Sequence, residues 1–459
     1  MRGEQSIVET TEYLLILVEP DARKVLARET VEGYRLPSVR IPQWERPAKE
    51  LQQAVQATWK LHVIVLDLLL SSDGTPFCAV AELLLSTPLV GLRAVALEQL
   101  EIPELSEEQR MQLVSLLSGG SLTNSPFSEL GWIDQAITWL ESETGRKLSS
   151  KSRIEQYNAG GAFSLVRFQT EDDRNYWLKA TGEPNAHELS ITRLLSELGG
   201  PFLPEMISSR SGWNAWLMSG EAIQLTELPA DPFELFCVLE DAVESMAELQ
   251  MKTEGQNLSL VKAGAFDQSL EVFQKHSDCL FDYIQEAMSL QTSTKVLRLD
   301  KPRLQEIHGI FEDACRRMED LDLPDTVVHG DMNYGNIVTG RGHCQFIDWC
   351  EAYVGNPLIT LQHLLLLNRA ENPDVRAFIN SVLKDRYRNV WLAMCDPAEI
   401  DDGFAYMPLL AVASTLYGRG DWLTTSQRDD PRRQAYARNL ARHMDHAAKD
   451  PALLEALRS

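Results

Sequence analysis

The apolar positions of this chain change period repeatedly, and the changes divide it into elements. YLLILV (13–18) and VLARETVEGYRL (25–36) are continuous or alternating apolar runs joined by a Pro20-Asp21 turn, a pattern that predicts two strands. From Pro47 to Leu61 the period lengthens. Leu51, Ala54, Val55, Thr58 and Trp59 recur at helical spacing behind an N-terminal proline, which predicts a helix. VIVLDLLL (63–70) and FCAVAELLL (77–85) flank the turn SSDGTP and predict a hairpin. SEEQRMQLVSLL (106–117) returns to helical spacing. These elements make up an α+β domain over residues 1–117.

SGGSLTNSPFSEL, residues 118–130, is rich in Ser, Gly, Asn and Pro and reads as a linker. After it, WIDQAITWLESETG (132–145) predicts an amphipathic helix. RIEQYNA (153–159), FSLVRFQT (163–170) and NYWLKAT (175–181) predict three strands, and ELSITRLLSEL (188–198) predicts a helix ended by Gly199-Gly200-Pro201. From Asp231 onward helical spacing dominates. One stretch interrupts it: VVHGDMNYGNIVTGRGHCQFIDWCEAYVGNP, residues 327–357. There TVVHGD and CQFIDW predict short strands ending in aspartates, joined by MNYGNIVTGRGH.

Composition narrows the partners. At 459 residues the chain is long enough for two or three domains, and its 44% hydrophobic and 24% charged residues are those of a globular protein. The formal net charge of -24 disfavours nucleic acid and anionic membranes and favours cationic small molecules or a metal-masked nucleotide. Seven scattered cysteines without a C-x-x-C pair argue against a disulfide framework or zinc site, and the N-terminus does not read as a signal peptide. The longest apolar runs are too short to span a bilayer, so a cytoplasmic location is expected.

The candidate chemistry lies in 327–357. Asp331 and Asp348 sit at predicted strand ends, with Asn336 on the connection between them. Phosphoryl transfer needs a carboxylate to take the attacking hydroxyl's proton and hard oxygen ligands for magnesium, and these residue types supply both. Gly330 and Gly335 allow tight turns around such a site. Any one of these residues is equally at home in a strand-end turn. The ordered set H-G-D-x-x-x-x-N followed by I-D-W carries the signal.

That set resembles the aminoglycoside phosphotransferase/choline kinase family. HGDMNYGN matches its catalytic loop and IDWCEAYVGNP its metal-binding segment, over about residues 131–459. The resemblance implies a protein-kinase-like fold, with a β-rich small lobe (131–220) and a mainly helical large lobe (221–459). It also implies ATP and Mg2+ as cofactors and a small-molecule hydroxyl as acceptor: an aminoglycoside, an amino alcohol or a sugar. Asp331 would be the catalytic base, and Asn336 and Asp348 the metal ligands. His329 would be structural, and Trp349 stands where protein kinases carry Phe. Upstream, Lys179 in NYWLKAT would hold the nucleotide phosphates and Glu188 would orient it. Asn185 to Glu188 also reads as a helix capping box, and Glu197 is a second partner for the lysine. Gly160-Gly161 falls where a phosphate-covering hairpin belongs, without a full G-x-G-x-x-G. Glu351, Asp421 and Trp422 are candidate acceptor contacts. The alternative from another class is a pseudokinase that senses nucleotide or serves as a scaffold without turnover.

Residues 8–100 are similar in order of elements to a Nudix hydrolase domain, with GYRLPSV and the 47–61 helix in register with that family's turn and helix. The R-E-x-x-E-E metal helix is absent, and Glu50 alone does not replace it. The expectation is a structural or ligand-sensing domain without hydrolysis.

Overall fold

A computed structural model describes residues 9–43, 46–69, 77–85, 89–100, 105–123, 125–160, 163–220, 223–224, 229, 231–339 and 342–458. Two compact units divide the chain, Met1–Leu189 with Glu205–Glu221 and Ser190–Pro204 with Ala222–Ser459.

The first unit begins with β1 (Thr10–Glu19), β2 (Lys24–Thr30), β3 (Gly33–Arg35), β4 (Ser38–Pro42), α1 (Pro47–Trp59), β5 (Val63–Leu69), β6 (Phe77–Leu83) and β7 (Arg93–Val95). They form a seven-stranded sheet, ordered β3-β2-β1-β6-β5, with β4 also on β1 and β7 on β2. β1 runs parallel to β6. The single strand expected over 25–36 is broken in two. The chain reverses between Thr30 and Gly33, which face each other across β2 and β3, and Gly33 takes φ +130° where a side chain would be strained.

The sheet is covered on both faces, which explains why its strands read as near-continuous apolar runs. On one face α1 buries Ala48, Leu51, Val55 and Trp59 against Leu15, Leu17 and Val65. On the other, Ile16, Val18, Ile64 and Val80 share one core with α2 (Glu107–Leu117) and α3 (Trp132–Thr144). Ser106 caps α2 by accepting the Gln109 N–H at 3.2 Å. Leu122 and Phe127, from the stretch read as a linker, are buried in the same core.

That core continues into a second, five-stranded antiparallel sheet. It comprises β8 (Glu155–Asn158), β9 (Phe163–Gln169), β10 (Asn175–Thr181), β11 (Met206–Arg210) and β12 (Ala215–Ser219), ordered β11-β12-β10-β9-β8. α4 (Glu188–Gly199) intervenes between β10 and β11, and the boundary between the two units falls inside it.

Glu82 on β6 is 2% exposed and accepts the Gly131 N–H, at the start of α3, at 2.8 Å. Burial pushes its carboxyl from 4.5 up to about 7, against the pull of that hydrogen bond. Folded Glu82 therefore holds a proton that the unfolded chain releases near pH 4.5. Stability is fullest below that value and declines as pH rises through about 7. Glu82→Gln keeps an acceptor without the charge. It is expected to raise stability at pH 8 by on the order of 2–3 kcal/mol, with the gain vanishing below about pH 4.5, in denaturant titrations at the two pH values.

The second unit holds β13 (Ile223–Gln224), α5 (Pro232–Thr253), α6 (Asn257–Ala263), β14 (Phe266–Asp267), α7 (Leu270–Lys275), α8 (Ser277–Ser289) and α9 (Lys301–Glu319). They are followed by β15 (Thr326–His329), β16 (Ile337–Thr339), β17 (Cys344–Phe346) and β18 (Ala352–Gly355). α10 (Leu358–Leu366), α11 (Pro373–Trp391), α12 (Pro397–Tyr417), α13 (Pro431–Ala447) and α14 (Pro451–Ala456) complete it. Asp231, Asn372, Asp396, Asp430 and Asp450 each cap a helix whose first residue is proline, and each side chain accepts a first-turn N–H. Most of the apolar side chains of these helices merge into one core that includes Phe311, Phe346, Trp349 and Trp391. No helix among the described residues is long and apolar enough to cross a membrane.

Candidate active site

In the first unit, β10 carries Lys179 into the interior at 5% exposure, where a lone ammonium would be costly. Its Nζ donates to Glu188 Oε1 at 2.5 Å, and the two side chains are 6% and 1% exposed. The rings of Phe163 and Trp216 lie 5.2 and 5.7 Å from the ammonium. Of the two readings of Glu188, the side chain takes the pairing one. It is the first residue of α4, its backbone N–H donates to Asn185 O at 3.1 Å, and its carboxylate turns to Lys179.

A residue that the sequence reading passed over holds this geometry. Asn214, at φ +46°, donates its Nδ2 to Thr181 O and to Ala186 O, both at 2.7 Å. It ties the end of β10 to the approach of α4, and its one sequence signal is a turn-favouring Asn before the apolar run AWLM. Gly160, between β8 and β9, takes φ +111°, and a Cβ there would stand 3.3 Å from Asp67 Oδ1. Gly161 lies outside the described residues.

In the second unit, the two strands that end toward Asp331 and Asp348 are not partners. β15 pairs with β18 in the sheet β14-β18-β15, whereas β17 pairs with β16 in β13-β16-β17. The connection read between them thus contains a strand, β16. Side-chain and backbone hydrogen bonds join the two sheets' loops instead. His329 is 1% exposed and donates Nε2–H to Ile347 O at 2.9 Å, which fixes its tautomer, because a carbonyl can only accept. Ile347 N–H donates to Asn336 O at 3.1 Å. Ile347, the residue immediately before Asp348, is therefore clamped through its C=O and its N–H to both ends of the His329–Asn336 loop. Trp349 packs its ring 4.5 Å from His329 and donates Nε1–H to Phe346 O at 3.1 Å.

Within the loop, Asn336 is 6% exposed and spends its Nδ2 on Asp331, at 2.7 Å to the carbonyl and 3.4 Å to Oδ2. This orientation leaves Oδ1 as the oxygen the amide has to offer. Asp331 itself is exposed. Asp348 takes φ +69°, a left-handed conformation that costs a non-glycine residue about 1–2 kcal/mol and that concentrates at functional sites. The oxygens of Asn336 and Asp348 are hard donors of the kind magnesium selects, so the donor set fits that ion.

Gly330 is where the loop passes closest to its neighbour. A Cβ there would stand 2.2 Å from Glu351 O, a backbone atom that cannot swing aside. Gly330→Ala is expected to cost about 1–3 kcal/mol of stability, read from a melting curve, and to weaken nucleotide binding.

Around Asp331 the charges gather. Glu351 lies in the turn before β18, half-buried, with Arg419 Nη2 3.8 Å from Oε1. Burial raises its carboxyl above the ordinary range, and Asp331, Asp348 and Asp421 push the same way while Arg419 opposes them. Tyr436 on α13 has its phenol raised by burial and by Asp331. Neither Arg419 nor Tyr436 carried a sequence signal. Asp421 is exposed beside this cluster. Trp422 is placed differently from the expectation. At 3% exposure it packs edge-on to Tyr283 at 4.7 Å and donates Nε1–H to Tyr417 O at 2.8 Å, so its ring serves the core rather than an open acceptor pocket.

A family model described as the phosphotransferase enzyme family matches residues 153–391. No curated protein matches the chain by sequence. Among solved structures, the chain is similar to a choline/ethanolamine kinase family protein from Mesorhizobium loti, with 15% identity over 71% of this chain and 99% of that one and a TM-score of 0.43. It is similar to a macrolide 2'-phosphotransferase from Brachybacterium faecium, with 15% identity over 69% and 97% and a TM-score of 0.45. A choline kinase from Streptococcus pneumoniae is 14% identical over 68% and 99%, with a TM-score of 0.39.

Proposed function

The chain belongs to the phosphotransferase enzyme family, and from that premise we propose that it moves the γ-phosphoryl group of ATP, as its magnesium complex, to a hydroxyl of a small cationic acceptor. The observation that carries this reading is the double clamp on Ile347, which sets the Asp348 segment against the loop bearing Asp331 and Asn336. Asp331 is the one exposed carboxylate of that loop and takes the proton of the attacking hydroxyl. Asn336 Oδ1 and the Asp348 carboxylate are the metal-holding oxygens. Magnesium, when bound, neutralises the phosphate charge that otherwise repels the acceptor oxygen. Lys179, held by Glu188, has the nucleotide-phosphate role.

Cationic acceptors are favoured because Glu351, Asp421 and Asp331 put a surplus of carboxylates on one patch, offset by Arg419 alone among the groups acting on Glu351. Glu351 and Asp421 are the residues that would meet an acceptor's ammonium. The test is transfer of labelled γ-phosphate from ATP to a panel of choline, ethanolamine and aminosugars beside neutral sugars of similar size. Hydroxyl-linked phosphate on the cationic members, with KM raised by Asp421→Asn, is expected. Transfer confined to the neutral sugars would overturn the acceptor assignment.

A further inference from the structure

α1 packs on its sheet through one stripe and turns another away from it. Lys49, Gln52, Gln53 and Gln56 recur at i, i+3, i+4 and i+7, which puts their side chains on a common face. That face lines a cavity of about 460 Å³ within the first unit, whose opposite wall comes from the second sheet and its approach, with Lys151, Arg153 and Glu155 before and on β8 and Arg167 on β9. Four of its lining residues are Lys or Arg and one is an acid, with His62 beside them, in a chain whose formal charge is -24.

Internal pairing uses some of this charge. Lys151 is salt-bridged to Asp134, and Arg167 to Glu155 at 2.5 Å. Lys49 instead lies over the Tyr157 ring at 5.0 Å, and Arg153 donates to the neutral amide of Gln169 at 2.9 Å. Two cations thus face the cavity with neutral side chains as their hydrogen-bond or ring partners.

The walls are fixed to each other by a chain of amides. Gln52 Nε2 donates to Val63 O at 2.7 Å, and its Oε1 accepts the Gln156 N–H at 2.8 Å. Gln156 is fully buried. Its side chain accepts from Val65 N–H at 2.7 Å and donates to Val65 O at 2.8 Å, completing the edge of β5 where the ladder shifts register between Val65 and Asp67. The bonds of Gln52 and Gln156 brace the two walls of the cavity against each other, and Gln53 and Gln56 line it beside the cations.

We propose that this cavity is a binding site for a small phosphate-bearing anion, held by Arg153 and Lys49 and supported by the glutamine stripe. Guanidinium and ammonium groups on facing walls suit an oxyanion with several acceptor oxygens, and the volume suits a metabolite rather than a polymer. Because β8 and β9 are also the strands flanking Gly160, an occupied cavity stiffens that hairpin. This consequence rests on the phosphotransferase reading, whereas the binding itself does not.

The test is calorimetric titration of the intact protein with inorganic pyrophosphate at low salt in the presence of EDTA. One-site binding is expected for the wild type, weakened at least about tenfold in Lys49→Gln/Arg153→Gln. Gln53→Glu, at an exposed position on the same stripe, should weaken it too, and guards against a misfolded double variant. Asp348→Asn should leave it unchanged, which separates this site from the nucleotide site. No heat with pyrophosphate, binding that survives both wall variants, or binding lost in Asp348→Asn would each overturn the proposal.

Discussion

Asp331→Asn is expected to lower kcat by about a hundred- to ten-thousand-fold while leaving ATP affinity and melting temperature close to wild type. The amide has the shape of the carboxylate but no basicity. The strongest bond from Asn336 goes to the Asp331 carbonyl at 2.7 Å, not to its side chain, so the loop keeps its form in the variant. The loss should therefore fall on kcat, with KM for ATP nearly constant, in steady-state kinetics run beside a melting curve. An unchanged kcat would mean that the proton leaves by another route.

The second large effect concerns the buried ion pair. Lys179→Met strands the Glu188 carboxylate, whose side chain is 1% exposed, and is expected to cost about 3–5 kcal/mol of stability, together with most of the activity. Lys179→Met/Glu188→Leu removes both charges and should recover much of that stability, because an apolar pair of similar volume suits the site, while activity stays lost. Denaturant titrations of the two single variants and the double variant measure the coupling. If the single variant and the double variant were equally destabilised, the stranded Glu188 carboxylate would not be the source of the loss.

What could be read in the sequence, and what could not, follows from range. The loop from His329 to Asn336 stood out in the sequence because its His, Asp, Asn and Gly residues are packed close together with fixed spacing. Lys179 was legible because an ammonium at the end of an apolar strand needs a reason. The 2.5 Å pair with Glu188 settles a choice the sequence left open, since a capping box and a lysine partner make the same demand on that position. Strand pairing was not legible. β16 is a three-residue strand inside a polar loop, too short for a period, and its partner β13 lies over a hundred residues upstream. The clamp through Ile347 joins one side-chain nitrogen, His329 Nε2, to three backbone groups, and the backbone groups carry no sequence signature. Arg419 and Tyr436 reach the Asp331 patch from elements distant in the chain, and Trp422 looked like a contact because nothing local says that Tyr283 will cover it. In the first unit Gln156 is a polar residue in a strand, which reads as solvent-facing. Only the three-dimensional fold brings it against the edge of β5.

The most direct measurement of the central claim is ATP affinity by calorimetry, with and without magnesium, in the wild type and in Asp348→Asn. Magnesium-dependent binding is predicted for the wild type, accompanied by roughly 2.7 kcal/mol of stabilisation at a hundredfold excess over Kd, and its loss is predicted for the variant. Equal ATP binding in all four conditions, or none in any, would contradict a metal–nucleotide site built on Asn336 and Asp348.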